Sequence, residues 1–243
     1  REEKLRFNWN AAMNRDPFNP NTLYFGSQFV HKSIDGGQTW RIISKDLTTN
    51  NPEYQKQGES GGLTMDATGA ENYCTILVIE PSPIQKGLLW TGSDDGQVNI
   101  SKNGGNDWRN ITKNIPMPSG AWINQIKASH QNPSEALLVV NDYRRFNDAP
   151  MVYRTKDFGQ SWKQIVDKND VIDYALCILQ DPIEPNLFFL GTGDGLYVSI
   201  DEAENWSKWT VGFPTTNVMD LVIQPREHDL VIGTFGRAAY VLD

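Results

Sequence analysis

The carboxylates best able to do chemistry in this chain are Asp94 and Asp95, adjacent in Gly92-Ser93-Asp94-Asp95-Gly96, and Asp194 in Gly191-Thr192-Gly193-Asp194-Gly195. Two carboxyl groups about 5 to 9.5 Å apart can hydrolyse a glycosidic bond, one as acid and the other as nucleophile or base. Asp94 or Asp95 with Asp194 is the pair a hydrolase needs, provided that distant turns converge. The bland reading of an Asp-rich turn is that one carboxylate caps its own turn and the other is solvated. A second cluster, Asp142-Tyr143-Arg144-Arg145-Phe146-Asn147-Asp148, mixes charge with aromatics. Arginine forks match carboxylates, so Asp142, Tyr143, Arg144, Arg145 and Asp148 are candidates to grip a carboxylate-bearing sugar or a peptide end. Mixed charges of this kind also pair among themselves. Gln28 and Arg237 stand in corresponding turns and are further ligand candidates; for Arg237 the alternative is a buttress between repeat units.

Other motifs carry less. Gly58-Glu59-Ser60-Gly61-Gly62 fits G-x-S-x-G, but the strand-to-helix setting of a nucleophile elbow is missing. His31, His130 and His228 lack ligand spacing, so neither a metal nor a cofactor is expected. Asn110-Ile111-Thr112 and Asn205-Trp206-Ser207 fit the glycosylation pattern by coincidence with the repeat.

The elements that must position these groups are set by an eight-residue phrase written four times. Ser33-Ile34-Asp35-Gly36-Gly37-Gln38-Thr39-Trp40 is the full form, S/T-x-D-x-G-x-T-W. Variants carry Ser101, Asn103, Gly105 and Trp108; Thr155, Asp157, Gly159, Ser161 and Trp162; and Ser199, Asp201 and Trp206, with Ala203 in place of the glycine. Asp or Asn at the third position can accept bonds from turn donors, Gly at the fifth tolerates positive φ, and Trp covers the hairpin. With Ala203 the fourth turn is either mildly strained or differently shaped. These side chains are committed to local turns, so the phrase is structural.

Around each phrase lie short runs rich in β-branched and aromatic residues, bounded by Gly, Pro, Asn and Asp, which read as strands. Proline turns such as Asp16-Pro17 and Asp181-Pro182 recur between the first and second runs. Four strands per unit make a propeller blade. The fold expected is all-β, a single propeller region over 1–243 with blades at about 8–44, 73–114, 122–166 and 174–211 and a partial fifth at 217–243. Residues 1–8 are a candidate for its missing strand. A part of a larger propeller is the other expectation.

At 39% hydrophobic and 11% aromatic the chain can build a substantial core. A formal charge of −8 argues against nucleic acid, and no apolar run is long enough to span a membrane. Cys74 and Cys177, each in an apolar strand, are expected as small buried hydrophobes.

The phrase resembles the Asp-box (BNR) repeat of sialidases, other glycoside hydrolases and sortilin-type propellers. With Leu47-Thr48-Thr49-Asn50, the stretch Tyr73 to Gly96, Tyr153 to Trp162 and Gly233-Thr234-Phe235-Gly236-Arg237, the chain looks like the large bacterial sortilin-like BNR proteins, often labelled glycosyl hydrolases on the repeat alone. The resemblance implies the later part of a longer, exported propeller protein, with the rest of that propeller as a partner.

The phrases and the proline turns share one face of such a propeller, and the longest irregular segments fall on the other. Loops on a rigid scaffold are where binding resides. Binding of a protein, peptide or glycan on the face opposite the boxes is therefore expected. A glycoside hydrolase is the alternative, though Arg144, Arg145 and Arg237 do not sit on recognisable sialidase positions. A scaffold subunit, as in propellers resembling photosystem assembly factors, is the third reading.

Overall fold

Short runs of two to nine residues, punctuated by turn residues, fold here as antiparallel strands. The computed structural model describes residues 4–56 and 72–243, so the G-x-S-x-G stretch at 58–62 lies outside the described residues. The chain divides into two units, Arg1–Ala128 and Ser129–Asp243.

In Arg1–Ala128, β1 (Met13–Arg15), β2 (Leu23–Gly26), β3 (Val30–Ser33) and β4 (Arg41–Ile42) form one meander. A second is made by β5 (Ile76–Pro81), β6 (Leu89–Ser93), β7 (Val98–Ser101) and β8 (Arg109–Asn110). The first unit ends on β9 (Trp122–Ala128), and Ser129–Asp243 opens with the antiparallel β10 (Ala136–Asp142), β11 (Asn147–Thr155) and β12 (Lys163–Val166). In Ser129–Asp243 follow β13 (Ala175–Gln180), β14 (Phe188–Thr192), β15 (Gly195–Ser199) and β16 (Ser207–Lys208), then the three-stranded sheet of β17 (Val218–Ile223), β18 (Leu230–Thr234) and β19 (Ala239–Leu242). This is the expected all-β arrangement of four full blades and a partial fifth.

Each octapeptide closes its third-to-fourth-strand hairpin by the same bonds. The first side chain receives the fifth residue's N–H: Gly37 to Ser33, Gly105 to Ser101, Gly159 to Thr155 and Ala203 to Ser199, at 2.8–3.0 Å. The third side chain receives the seventh residue's N–H at 2.9 Å in all four copies. Residues four and five both take positive φ, including Phe158 (59°), Glu202 (61°) and Ala203 (67°). The fourth turn thus keeps the common shape, with non-glycine residues in the left-handed region.

The opposite hairpins, between first and second strands, have their own cap. Asp16, Ser82, Ser129, Asp181 and Gln224 each accept the N–H groups two and three residues on, in an Asx-like turn. Between neighbouring meanders lie separate apolar clusters. Tyr24, Val30, Ile76, Ile79 and Leu89 belong to one. Val139, Val152, Ile178, Phe188 and Leu190 belong to another.

Residues 4–8 are bonded inside the first unit: Arg6 N–H donates to Gln28 Oε1 (2.9 Å), Gln28 Nε2 donates to Lys4 O (3.0 Å), and Asn72 N–H donates to Phe7 O (3.0 Å). The Arg6 guanidinium holds the segment there through Asp46 at 2.6 Å and the Cys74 carbonyl at 3.1 Å.

Candidate functional site

In Arg1–Ala128 the turns between second and third strands are filled by their own chain. Gln28 is fully buried, its amide spent on Arg6 and Lys4. Asp94 and Asp95 are also buried, so neither is solvated. Asp94 Oδ1 accepts the Thr75 N–H at 2.8 Å and Oδ2 accepts the Thr75 hydroxyl. Asp95 Oδ2 accepts the Thr49 N–H at 2.7 Å and the Thr49 hydroxyl at 2.6 Å, while Oδ1 accepts Ser93 Oγ. Burial, and then the neighbouring Asp95, push the Asp94 carboxyl up to about 8. Cys74 Sγ lies 3.6 Å from Thr49 Oγ1, and burial raises its thiol to about 12, so it is not an activated nucleophile. The arrangement locks the inter-blade link 46–51 onto the turn of the second blade.

In Ser129–Asp243 the corresponding end is more open. After β10 the chain makes a 3-10 turn, Tyr143–Arg145, which ends on Phe146 at φ 61°. That geometry leaves the Phe146 ring 97% exposed. Tyr143 stacks on Tyr174 with ring centroids 4.7 Å apart, and the Arg144 guanidinium lies over Tyr143 at 4.4 Å. Tyr174 is fixed in turn by Asn217, whose Nδ2 donates to its hydroxyl at 3.0 Å. Asp142 is engaged by Arg145 Nε. Beneath the stack, Asn141 Oδ1 accepts a long bond from Arg144 at 3.4 Å, while its buried Nδ2 has no partner among the described residues.

Asp194 pairs with Lys208 Nζ at 2.6 Å and takes a long bond from Tyr197 OH at 3.4 Å. Asp173 comes beside it; burial raises its carboxyl, and the charges of Asp148 and Asp194 add to the effect. Arg237 is exposed in the turn between β18 and β19. This unit therefore assembles Tyr143, Arg144, Phe146 and Tyr174 around one end of its blades. Thr49, Thr75, Tyr174, Asn217 and Lys208 were not among the residues singled out from sequence, because each acts on a partner far along the chain.

A cleft of about 600 Å³ also runs between β12 and the fourth octapeptide, lined by Arg154, Lys163, Gln164, Asp167, Asp170 and Glu202 among others. Its buried Arg154 is committed to Glu135 and lies 3.8 Å from Glu202. Among the described residues no cluster of His, Cys, Asp or Glu is placed to hold a metal ion.

Residues 150–240 match the family model described as sortilin, neurotensin receptor 3. The solved structure of an ancestral GH74 enzyme superposes with a TM-score of 0.61 at 14% identity, covering 100% of this chain and 33% of that one. The fold of the chain is that of a repeat propeller, and the similarity to sortilin covers residues 150–240. YCF48 from Cyanidioschyzon merolae superposes with a TM-score of 0.58 at 13% identity, covering 96% of this chain and 67% of its own. For the Niastella koreensis GH74 enzyme the TM-score is 0.51 at 13% identity, with 96% and 45% covered. The chain thus spans about a third of the ancestral GH74 enzyme, and at these identities the likeness is one of fold. Among curated proteins none matches it in sequence. No described helix is long and apolar enough to cross a membrane.

Proposed function

We propose that this chain is a non-catalytic binding module of an exported sortilin-like protein. Its ligand surface is the end of the blades remote from the octapeptides, and its ligand is a protein or peptide segment. The observation that carries this reading is the platform of Tyr143, Arg144 and Tyr174 beside the exposed Phe146. Aromatic and arginine side chains held rigidly at a surface are what dominate binding energy in protein interfaces. The octapeptide Asp and Asn side chains have their acceptors filled within their own hairpins, which leaves them little to offer a ligand.

The GH74 neighbours keep hydrolysis in view, but Asp94 and Asp95 are inaccessible and hydrogen-bonded. That supports a structural role for them. Panning a displayed random-peptide library on the immobilised chain tests the proposal. Enriched peptides should bind Tyr143→Ala and Phe146→Ser at least about ten-fold more weakly, as for hot-spot residues, and Ile200→Ser in the fourth octapeptide as tightly as wild type. No enrichment, or peptides indifferent to Tyr143 and Phe146, refutes the surface. Sugar release from oligosaccharides that is lost in Asp94→Asn or Asp194→Asn refutes the non-catalytic reading.

A further inference from the structure

Within Ser129–Asp243 the aromatic platform continues across several turns. Tyr143 stacks on Tyr174, Asn217 Nδ2 donates to the Tyr174 hydroxyl at 3.0 Å, and the Asn217 carbonyl accepts the Phe235 N–H at 3.0 Å. That chain of contacts joins the turn after β10 to the turn after β18. Apolar side chains stand open along it: Phe146 is 97% exposed, Phe235 is 74% exposed, and Ile172, next to Asp173, is 79% exposed. Apolar groups joined through one fixed framework mark an interaction site, where single ones would not.

Among these groups lie carboxylates without cations. Asp173 is held against the turn between β14 and β15. There the Gly193 N–H donates to the Tyr174 carbonyl at 3.1 Å, and a Cβ on Gly193 would stand 2.5 Å from Asp173 Oδ2 and 2.8 Å from Tyr174 Cζ. The bare glycine lets the carboxylate and the ring lie there. Asp173 Oδ1 accepts the N–H of its own neighbour Tyr174 at 2.8 Å. Burial raises its carboxyl, and the charges of Asp148 and Asp194 add to the rise. Asp194 is matched by Lys208 at 2.6 Å. Asp148 is exposed, and among the described residues no salt bridge reaches it or Asp173. The arginines, by contrast, are engaged: Arg145 on Asp142 and Arg144 over the Tyr143 ring. A carboxylate-bearing ligand would meet charges already in use, whereas a cationic one meets charges left open.

One buried group points to a peptide as the carrier of that cation. Asn141 is 1% exposed, and its Nδ2 has no acceptor among the described residues. Its Oδ1 meets Arg144 of the platform through a long bond of 3.4 Å. A buried donor left unpaired costs stability, and a main-chain carbonyl brought by an extended ligand would satisfy it.

We infer that this surface selects a peptide segment carrying lysine or arginine beside an apolar residue, the cationic group seated by Asp148 and Asp173 and the apolar one against Phe146. The inference rests on the ligand surface proposed above and names the chemistry of its ligand. Bonds to ionised carboxylates are the stronger kind, so the cation decides which segments bind.

Peptides enriched on this chain by library panning should carry Lys or Arg in most clones. One of them, fluorescently labelled, is measured by anisotropy beside a counterpart with citrulline for Arg or norleucine for Lys, which removes the charge. On wild type the neutral counterpart should bind at least about ten-fold more weakly, the scale of a hydrogen-bonded charge. Asp148→Asn combined with Asp173→Asn should weaken the cationic peptide as much and leave the neutral one within about two-fold, as direct coupling requires. The double variant should melt no lower than wild type, since it relieves like charges. Equal losses for both peptides overturn the inference. So do enriched peptides that depend on Tyr143 and Phe146 yet carry no Lys or Arg, an outcome that leaves the ligand surface standing. No enrichment, or peptides indifferent to Tyr143 and Phe146, removes the surface and the inference with it.

Discussion

Glu202 and Ala203 take, without glycine, the two positive-φ positions that the first and second octapeptides fill with Gly36-Gly37 and Gly104-Gly105. A left-handed conformation costs an L-residue about 1–2 kcal/mol. Replacing Glu202 by glycine relieves that, while the more flexible unfolded chain returns about 0.4–1 kcal/mol. Its ion pair with Arg154 is long, at 3.8 Å, and half exposed, so losing it costs about 0–0.5 kcal/mol. Glu202→Gly should therefore stabilise by about 0.5 kcal/mol. The same backbone terms apply to Ala203, but its methyl is only 6% exposed. Removing a buried carbon costs about 0.8 kcal/mol, so Ala203→Gly should be neutral or slightly destabilising.

Gly37→Ala is the reciprocal control. Its φ is +92° and a Cβ there would find Leu23 Cδ1 at 3.5 Å, an ordinary contact. The left-handed cost of about 1–2 kcal/mol is offset by about 0.4–1 kcal/mol from the stiffer unfolded chain, so the net loss should be about 0.5–1 kcal/mol. Equilibrium urea unfolding followed by tryptophan fluorescence reads all three as midpoint shifts at constant slope. Loss of stability in Glu202→Gly, or a larger gain in Ala203→Gly than in Glu202→Gly, refutes the view that the fourth turn is a strained copy of the first.

The third and seventh octapeptide side chains form one donor–acceptor pair, reversed in the second copy, where Asn103 Nδ2 donates to Asp107 at 2.7 Å. Asn103→Asp should cost about 1 kcal/mol or more through like charges, and adding Asp107→Thr should restore stability in the same urea assay. Because the Asp94 carboxyl is raised to about 8, its contribution to stability is full below about 3.8 and lost as pH rises through about 8. Wild type should thus lose up to about 1.4 kcal/mol per pH unit across that window relative to Asp94→Asn; parallel pH–stability curves would contradict this. Asp35 and Asp201 are instead lowered to about 2, chiefly by the side-chain bonds from Thr39 and Asn205. Their hairpins should hold above pH 4 and loosen as pH falls toward 2, seen as faster amide exchange at Thr39 and Asn205. Gly92→Ala puts a carbon 2.2 Å from Ile123 Cγ2 and should destabilise by about 1–3 kcal/mol, with partial rescue by Ile123→Ala.

What was legible in the sequence is what the chain does within a few residues of itself. Ser33 bonds Asp35 and Gly37, and Asp35 bonds Thr39. The type and spacing of residues thus encode each hairpin, and the hairpins set the strand order. The candidate site was less legible because its residues answer to distant ones. Asp94 and Asp95 read as one carboxylate capping its own turn and one solvated, yet Thr75 and Thr49, 19 and 46 residues away, reach them through side chain and backbone alike. Nothing local in Gly92–Gly96 announces that the link 46–51 will fold over it. Tyr174 stands at the start of the expected fourth blade, with nothing local to mark it, and only the tertiary fold stacks it on Tyr143.

The same division of labour explains why the octapeptide does not name a function. A turn whose acceptors are satisfied inside eight residues can recur on any blade, whatever the other end of the sheet binds. The local bonds free the opposite turns from structural duty, and they diverge accordingly. In the second blade that turn is closed by Thr49 and Thr75. In the third it is enlarged to carry Tyr143, Arg144 and the exposed Phe146. The proposed binding function accordingly rests on the turns that the repeat leaves unspecified, and the third blade is where that freedom yields an exposed aromatic surface.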